Sequence, residues 1–203
     1  MLTNYRISDD LDDLIDMVND LETHVRSDDV YSTPMLGLTM TYSGGPTTTV
    51  GGVLASLHRI NSLIDQLTPE QRERLANAIH EHDRVASEWH EHYAQKMRKE
   101  AHSRLSLIAA FLNDYHEDAA AAVSQYGPET THRTIIHALV QQMQRMNESD
   151  EKLITDIEHV DGQLEEILEP APFLWDNQLK NVYGEKEYWW LYHKPLVTES
   201  ASF

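Results

Sequence analysis

From Glu70 to Tyr126 the chain contains neither glycine nor proline. Few chains can use such a stretch except as helix, because nothing in it breaks one. Its start is marked as clearly as its length. In Thr68-Pro69-Glu70-Gln71, the threonine suits an N-cap, the proline fits the first helical position, and the glutamine can close a capping box. Leu75, Ile79, His82, Ala86, Trp89 and Tyr93, then Leu105, Ile108 and Leu112, form an apolar stripe. The pattern predicts one helix over 69–116, about 70 Å long at 1.5 Å per residue.

After Gly127-Pro128 the stripe resumes with His132, Ile136, Leu139, Met143 and Met146, then Leu153, Ile157, Val160, Leu164 and Ile167. Asp150 interrupts it. Either one helix covers 129–169, or Ser149 caps a second one. Glu169-Pro170-Ala171-Pro172 ends the pattern. Two long helices joined by a short connection should lie antiparallel. Shorter helices are expected at 8–26, where Leu11, Leu14, Ile15, Val18, Leu21 and Val25 share a face, and at 51–67. Residues 31–49 alternate apolar residues with Gly and Thr around Ser43-Gly44-Gly45-Pro46, which reads as a loop or small hairpin. No Gly-Lys-Ser/Thr follows, so a phosphate loop is not indicated. The fold expected is all-α: an elongated helical bundle built on an antiparallel hairpin, forming a single domain over 1–203.

Residues 170–203 form an irregular tail crowded with rings. Trp175, Tyr183, Tyr188, Trp189, Trp190 and Tyr192 are expected either to cap the seam of the bundle or to anchor a partner. An uncovered seam also makes a homodimer one expected way of burying it.

Net charge is −18, concentrated in two segments. Residues 1–30 carry nine acidic and two basic side chains, and residues 148–170 carry nine and one. Such a surface repels nucleic acid and anionic lipid and suits a basic protein partner. Without cysteine there are no disulfides, thiolate metal sites or thiol nucleophiles. No run reaches the roughly 18–20 apolar residues of a membrane span, and the first residues lack the pattern of a signal peptide. A cytoplasmic protein is expected.

The most chemical-looking stretch is His80-Glu-His-Asp-Arg-Val-Ala-Ser-Glu-Trp-His-Glu-His-Tyr93. On a helix the His80/His82 and His90/His92 doublets point about 200° apart, so neither chelates one ion. Glu88 with His92, and Glu129 with His132, have usable spacings. His116 and Glu117 would approach Glu129 and His132 at the hairpin bend. Di-metal carboxylate bundles need paired ExxH motifs facing a core, and here only Glu129-Thr-Thr-His132 has that form. The competing explanation is solvated helix surface for His80, His90 and His92, and a hydrogen-bonded place at the core edge for His82 and His132. Protonating all twelve would move the net charge from −18 towards −6.

No nucleophile elbow is present, and the one basic cluster, Lys96, Arg98, Lys99 and Arg104, is expected to pair with the acidic helices. The function expected is a non-enzymatic acidic interaction or scaffold protein without a cofactor. The alternatives are a metal-binding helical protein, up to a di-metal carboxylate enzyme, and a nucleic-acid mimic that inhibits a basic DNA-binding protein.

Overall fold

The computed structural model describes residues 4–31 and 47–196. Most of the loop or hairpin expected near 31–49 lies outside the described residues. The fold is all-α, with helices α1 (Ile7–Arg26), α2 (Val50–Ser62), α3 (Pro69–Glu88), α4 (His90–Glu117), α5 (Ala119–Ala122), α6 (Tyr126–Arg145) and α7 (Glu151–Ile167). Two short strands, β1 (Leu168–Pro170) and β2 (His193–Pro195), pair antiparallel. No described helix is long and apolar enough to cross a membrane.

The chain divides into two compact units, and the division falls inside α4 and α6. The first unit comprises 6–100 and 138–148. Its core holds Leu11, Leu14, Leu21, Ile60, Leu75, Val85 and Met97, all at 1% exposure or less. Side-chain pairs fix the helix directions. Asp10 meets Arg59, while an added Cβ on Gly52 would stand 3.4 Å from the Met17 sulfur, so α2 runs antiparallel to α1. Asp12 meets Arg74 and Glu22 meets Arg84, both pairs 62 residues apart, so α3 runs parallel to α1.

The sequence predicts a single helix over 69–116, and the structure breaks it. Thr68 and Gln71 make the expected capping box. At Trp89, however, φ is −109° and ψ is 33°. His82 and Tyr93 would stand about 16 Å apart along a continuous helix. Their rings meet with centroids 5.8 Å apart, and His82 Nε2 lies 2.8 Å from the Tyr93 hydroxyl. The chain therefore turns at Trp89, and α3 and α4 are separate helices.

The second unit comprises 1–5, 101–137 and 149–203. Arg104 meets His132, and Phe111 packs on Tyr126, so these parts of α4 and α6 form the expected antiparallel hairpin. α6 begins at Tyr126, so Pro128 falls in its first turn, where no N–H is needed. It ends at Arg145, and Asn147 beyond it lies in the left-handed region with φ 58°. Glu148 N–H donates to Met143 O and Asn147 N–H to Gln144 O, which completes a Schellman motif. Of the two sequence alternatives, the broken helix is the one formed. Asp150, not Ser149, caps α7, accepting from Leu153 N–H at 3.0 Å.

The aromatic tail folds onto α6. Trp175 Nε1 donates to Thr130 Oγ1 and Trp190 Nε1 to Thr134 Oγ1, each at 3.0 Å. Arg133 stands 4.2 Å from the Trp190 ring centre and holds Asp161 through two bonds of 2.7 Å. Leu196 N–H returns to Ile167 O, and Tyr115 donates to Leu196 O, so the strand pair fastens the tail at the end of α7.

Candidate functional site

The acidic first segment resolves into an ordered ridge. At 100° per residue, Asp9, Asp13, Asp16 and Asp20 fall within about 60° of one another on α1, over about 16 Å. All four are exposed, and Asp12 flanks them. Asp9 pairs with Arg6 and Asp12 with Arg74. Among the described residues, no ion pair involves Asp13, Asp16 or Asp20. Partial burial, then the charges of Asp10, Asp16, Asp9 and Asp12, hold the Asp13 carboxyl above its ordinary pKa. The i,i+4 pairs Asp9–Asp13, Asp12–Asp16 and Asp16–Asp20 each cost about 0.2–0.5 kcal/mol. The ridge therefore opposes the helix that carries it.

A cleft of about 450 Å³ opens beside the ridge, between α1 and α3. Ile15, Val18 and Asn19 line it from α1, and Arg74, Asn77, Ala78 and Glu81 from α3. Two ion pairs cross from helix to helix: Arg74 to Asp12 at 2.7 Å and Arg84 to Glu22 at 2.6 Å. Ten residues of α1 separate them, about 15 Å of rise. Going round α1 from its buried face, Val18, Ile15 and Asn19 come first. Asp12, Asp16, Asp9, Asp20 and Asp13 then follow within about 100°. Apolar wall and acidic ridge are thus neighbouring strips of one helix.

The residues read as metal ligands divide between the two units. Glu88 accepts from Arg84, and His92 meets the Trp89 ring edge-on at 5.8 Å. Glu129 and His132 occupy the first turns of α6. Burial raises the Glu129 carboxyl to about 7, and its Oε2 has no hydrogen-bond partner among the described residues. Burial, then the charge of Arg104, lowers His132 to about 4. The Arg104 guanidinium, which only donates, lies 3.0 Å from His132 Nδ1, so that nitrogen accepts and the ring is neutral. His116 and Glu117 are exposed at the end of α4. Among the described residues, no three His, Asp or Glu side chains are grouped as a metal site requires.

The rings read as partner anchors are placed just as definitely. Trp175, Tyr183, Tyr188, Trp190 and Tyr192 are buried, at 0–8% exposure, and Trp189 is half-buried. Trp175 and Trp190 lie on α6, and Tyr188 meets His137 edge-on with centroids 4.9 Å apart. Sequence reasoning missed the seat they use. Thr130, Arg133, Thr134 and His137 share one face of α6, opposite the apolar stripe of His132, Ile136, Leu139 and Met143, so no periodic signal marks that face as buried. It also missed the cleft, whose second wall is 60 residues away in the chain.

No protein-family model, curated protein or solved structure matches this chain.

Proposed function

We propose that this protein is a non-enzymatic acidic interaction or scaffold protein, and that the α1 ridge receives a basic segment of a protein partner. The supporting observation is the alignment of Asp9, Asp13, Asp16 and Asp20 on one exposed line, with Asp13, Asp16 and Asp20 outside any ion pair among the described residues. Four carboxylates in register weaken an isolated helix and strengthen a complex with lysine or arginine side chains. Opposed charges of this kind chiefly speed and orient association. A DNA-binding protein is one kind of basic partner, and competition by duplex DNA would identify that case.

The test is binding of a lysine-rich peptide, followed by fluorescence anisotropy over a salt series. Binding should weaken as salt rises. In the triple variant Asp13→Asn, Asp16→Asn, Asp20→Asn it should fall by at least roughly tenfold, about 1.4 kcal/mol. Peptide affinity unchanged in the triple variant would sink the proposal.

A further inference from the structure

We infer that the end of α1 is an acid-released latch: Lys96 pins the turn after α1 to α4, and protonation of the buried His24 beside it opens that turn while the rest of the unit stays folded. This goes beyond the acidic-docking reading and does not depend on it.

His24 stands in the last turn of α1 at 2% exposure, and neither ring nitrogen has a hydrogen-bond partner among the described residues. A buried polar ring left unsatisfied destabilises the closed arrangement. The chain that follows it is lightly fastened. None of residues 27–31 is buried. Lys96, at 4% exposure, reaches over from α4 and donates to Ser27 Oγ at 3.1 Å and to Asp29 O. Ser27 Oγ donates in turn to His24 O at 2.8 Å. The ammonium is thus two hydrogen bonds from the His24 backbone. Segments with few buried contacts are the first to open, and two bonds from one ammonium fasten this one.

The surrounding charges decide what a proton on His24 does. From α4 come Lys96, Lys99 and Glu100; Glu100 accepts from Gly51 N–H at the start of α2. Arg98 lies about 200° from Lys96 round α4 and pairs with Glu148. The turn brings Asp28 and Asp29, both exposed, and the start of α2 brings the neutral Thr48 and Thr49. On α1, Asp20 is exposed one turn earlier, while Glu22 and Arg26 lie about 160° round the helix, where they meet Arg84 and the Trp89 ring. From α3, His82 bonds Asp83 and Tyr93, and Glu88 holds Arg84. Burial, then the charge of Lys96, keeps the His24 ring neutral, and Asp29 offsets them in part. The C-terminal end of a helix favours a cation, but Lys96 already occupies that place. A charged His24 therefore shares a closed space with an ammonium, and opening the turn gives both cations water. Each opening takes up one proton, so acid drives it.

The experiment is amide hydrogen exchange of the full chain between pH 7 and pH 5, read residue by residue by NMR, with the intrinsic exchange rates divided out. Protection of the amides of residues 24–27 should fall about tenfold per pH unit below pH 6.5, the signature of one proton per opening. The amides of Leu14, Ile60 and Leu75 should stay at least roughly tenfold better protected at every pH, because the opening is local. In His24→Leu the protection of 24–27 should no longer depend on pH. In Lys96→Met it should already be at least roughly tenfold lower at pH 7. Circular dichroism checks that each variant is folded. Wild-type protection that ignores pH overturns the latch whatever the variants do. So does exchange of 24–27 at the rate of the core amides, which would mean that the whole unit opens. A fall that persists in His24→Leu assigns the proton to another group such as His82, and unchanged protection in Lys96→Met removes the pin.

Discussion

Asp10 looks in the sequence like its neighbours Asp9, Asp12 and Asp13. In the structure it turns inward. Arg59 Nε donates to its Oδ2 at 2.9 Å and Nη2 to its Oδ1 at 2.6 Å, while Ser56 Oγ donates to Oδ1 at 3.1 Å. The three residues are at 9% exposure or less. Removing one partner of such a pair leaves a buried charge uncompensated, at a cost of about 3–5 kcal/mol. Asp10→Ala should therefore lower stability by that amount in urea unfolding. Asp10→Leu combined with Arg59→Met should recover most of the loss, because neither charge then remains. A double variant as weak as the single one would show that the pair is not the cause. The helical phase of Asp10, about 100° from Asp9, already set it apart from the ridge. Its partner could not be read, because Arg59 lies 49 residues further along the chain. The same holds for Thr130 and Thr134. Their partners, Trp175 and Trp190, are 45 and 56 residues away.

At the scale of elements, helix starts were more legible than helix interruptions. Thr68, Pro69 and Gln71 mark a boundary by local chemistry, and the structure places α3 there. Trp89 marks one without proline or glycine. Its turn goes with long-range contacts: His82 on Tyr93, and Arg26 at 4.6 Å from the Trp89 ring centre. Local propensity carries no trace of these. Helix α7 offers a test of propensity by itself. Gly162 sits in its exposed interior, and an added Cβ would meet nothing within 4 Å. Glycine in such a place costs about 0.5–1 kcal/mol relative to alanine, through backbone freedom in the unfolded chain. Gly162→Ala should raise the urea midpoint by an equivalent amount without changing the slope. A decrease would mean that another group approaches the backbone at that position.

Across the whole molecule, buried titratable groups set opposing pH dependences. His24 is at 2% exposure, and neither ring nitrogen has a hydrogen-bond partner among the described residues. Burial, then the charge of Lys96, lowers it to about 4. His132 is also lowered to about 4. Each takes up a proton in the unfolded chain near pH 6.5 and resists it in the folded one. Their stabilising contribution is full above pH 6.5 and is lost as pH falls towards 4. Glu129, raised to about 7, acts with the opposite sign. The folded chain holds a proton that the unfolded chain releases near pH 4.5, so its contribution is present below 4.5 and is lost as pH rises through 7. Between pH 4.5 and 6.5, two histidines outweigh one glutamate, and stability should rise with pH. One net proton corresponds to about 1.4 kcal/mol per pH unit, and solvent screening of the partly exposed His132 and Glu129 brings this to roughly half. Glu129→Gln removes the opposing term. It should steepen the rise and, at pH 7, stabilise the protein by about 1–2 kcal/mol after the same allowance, a gain that vanishes below pH 4.5. Urea unfolding of both chains from pH 4.5 to 7.5 reads all three effects. A Glu129→Gln gain that persisted unchanged at pH 4.5 would place its origin in packing rather than in the buried carboxyl.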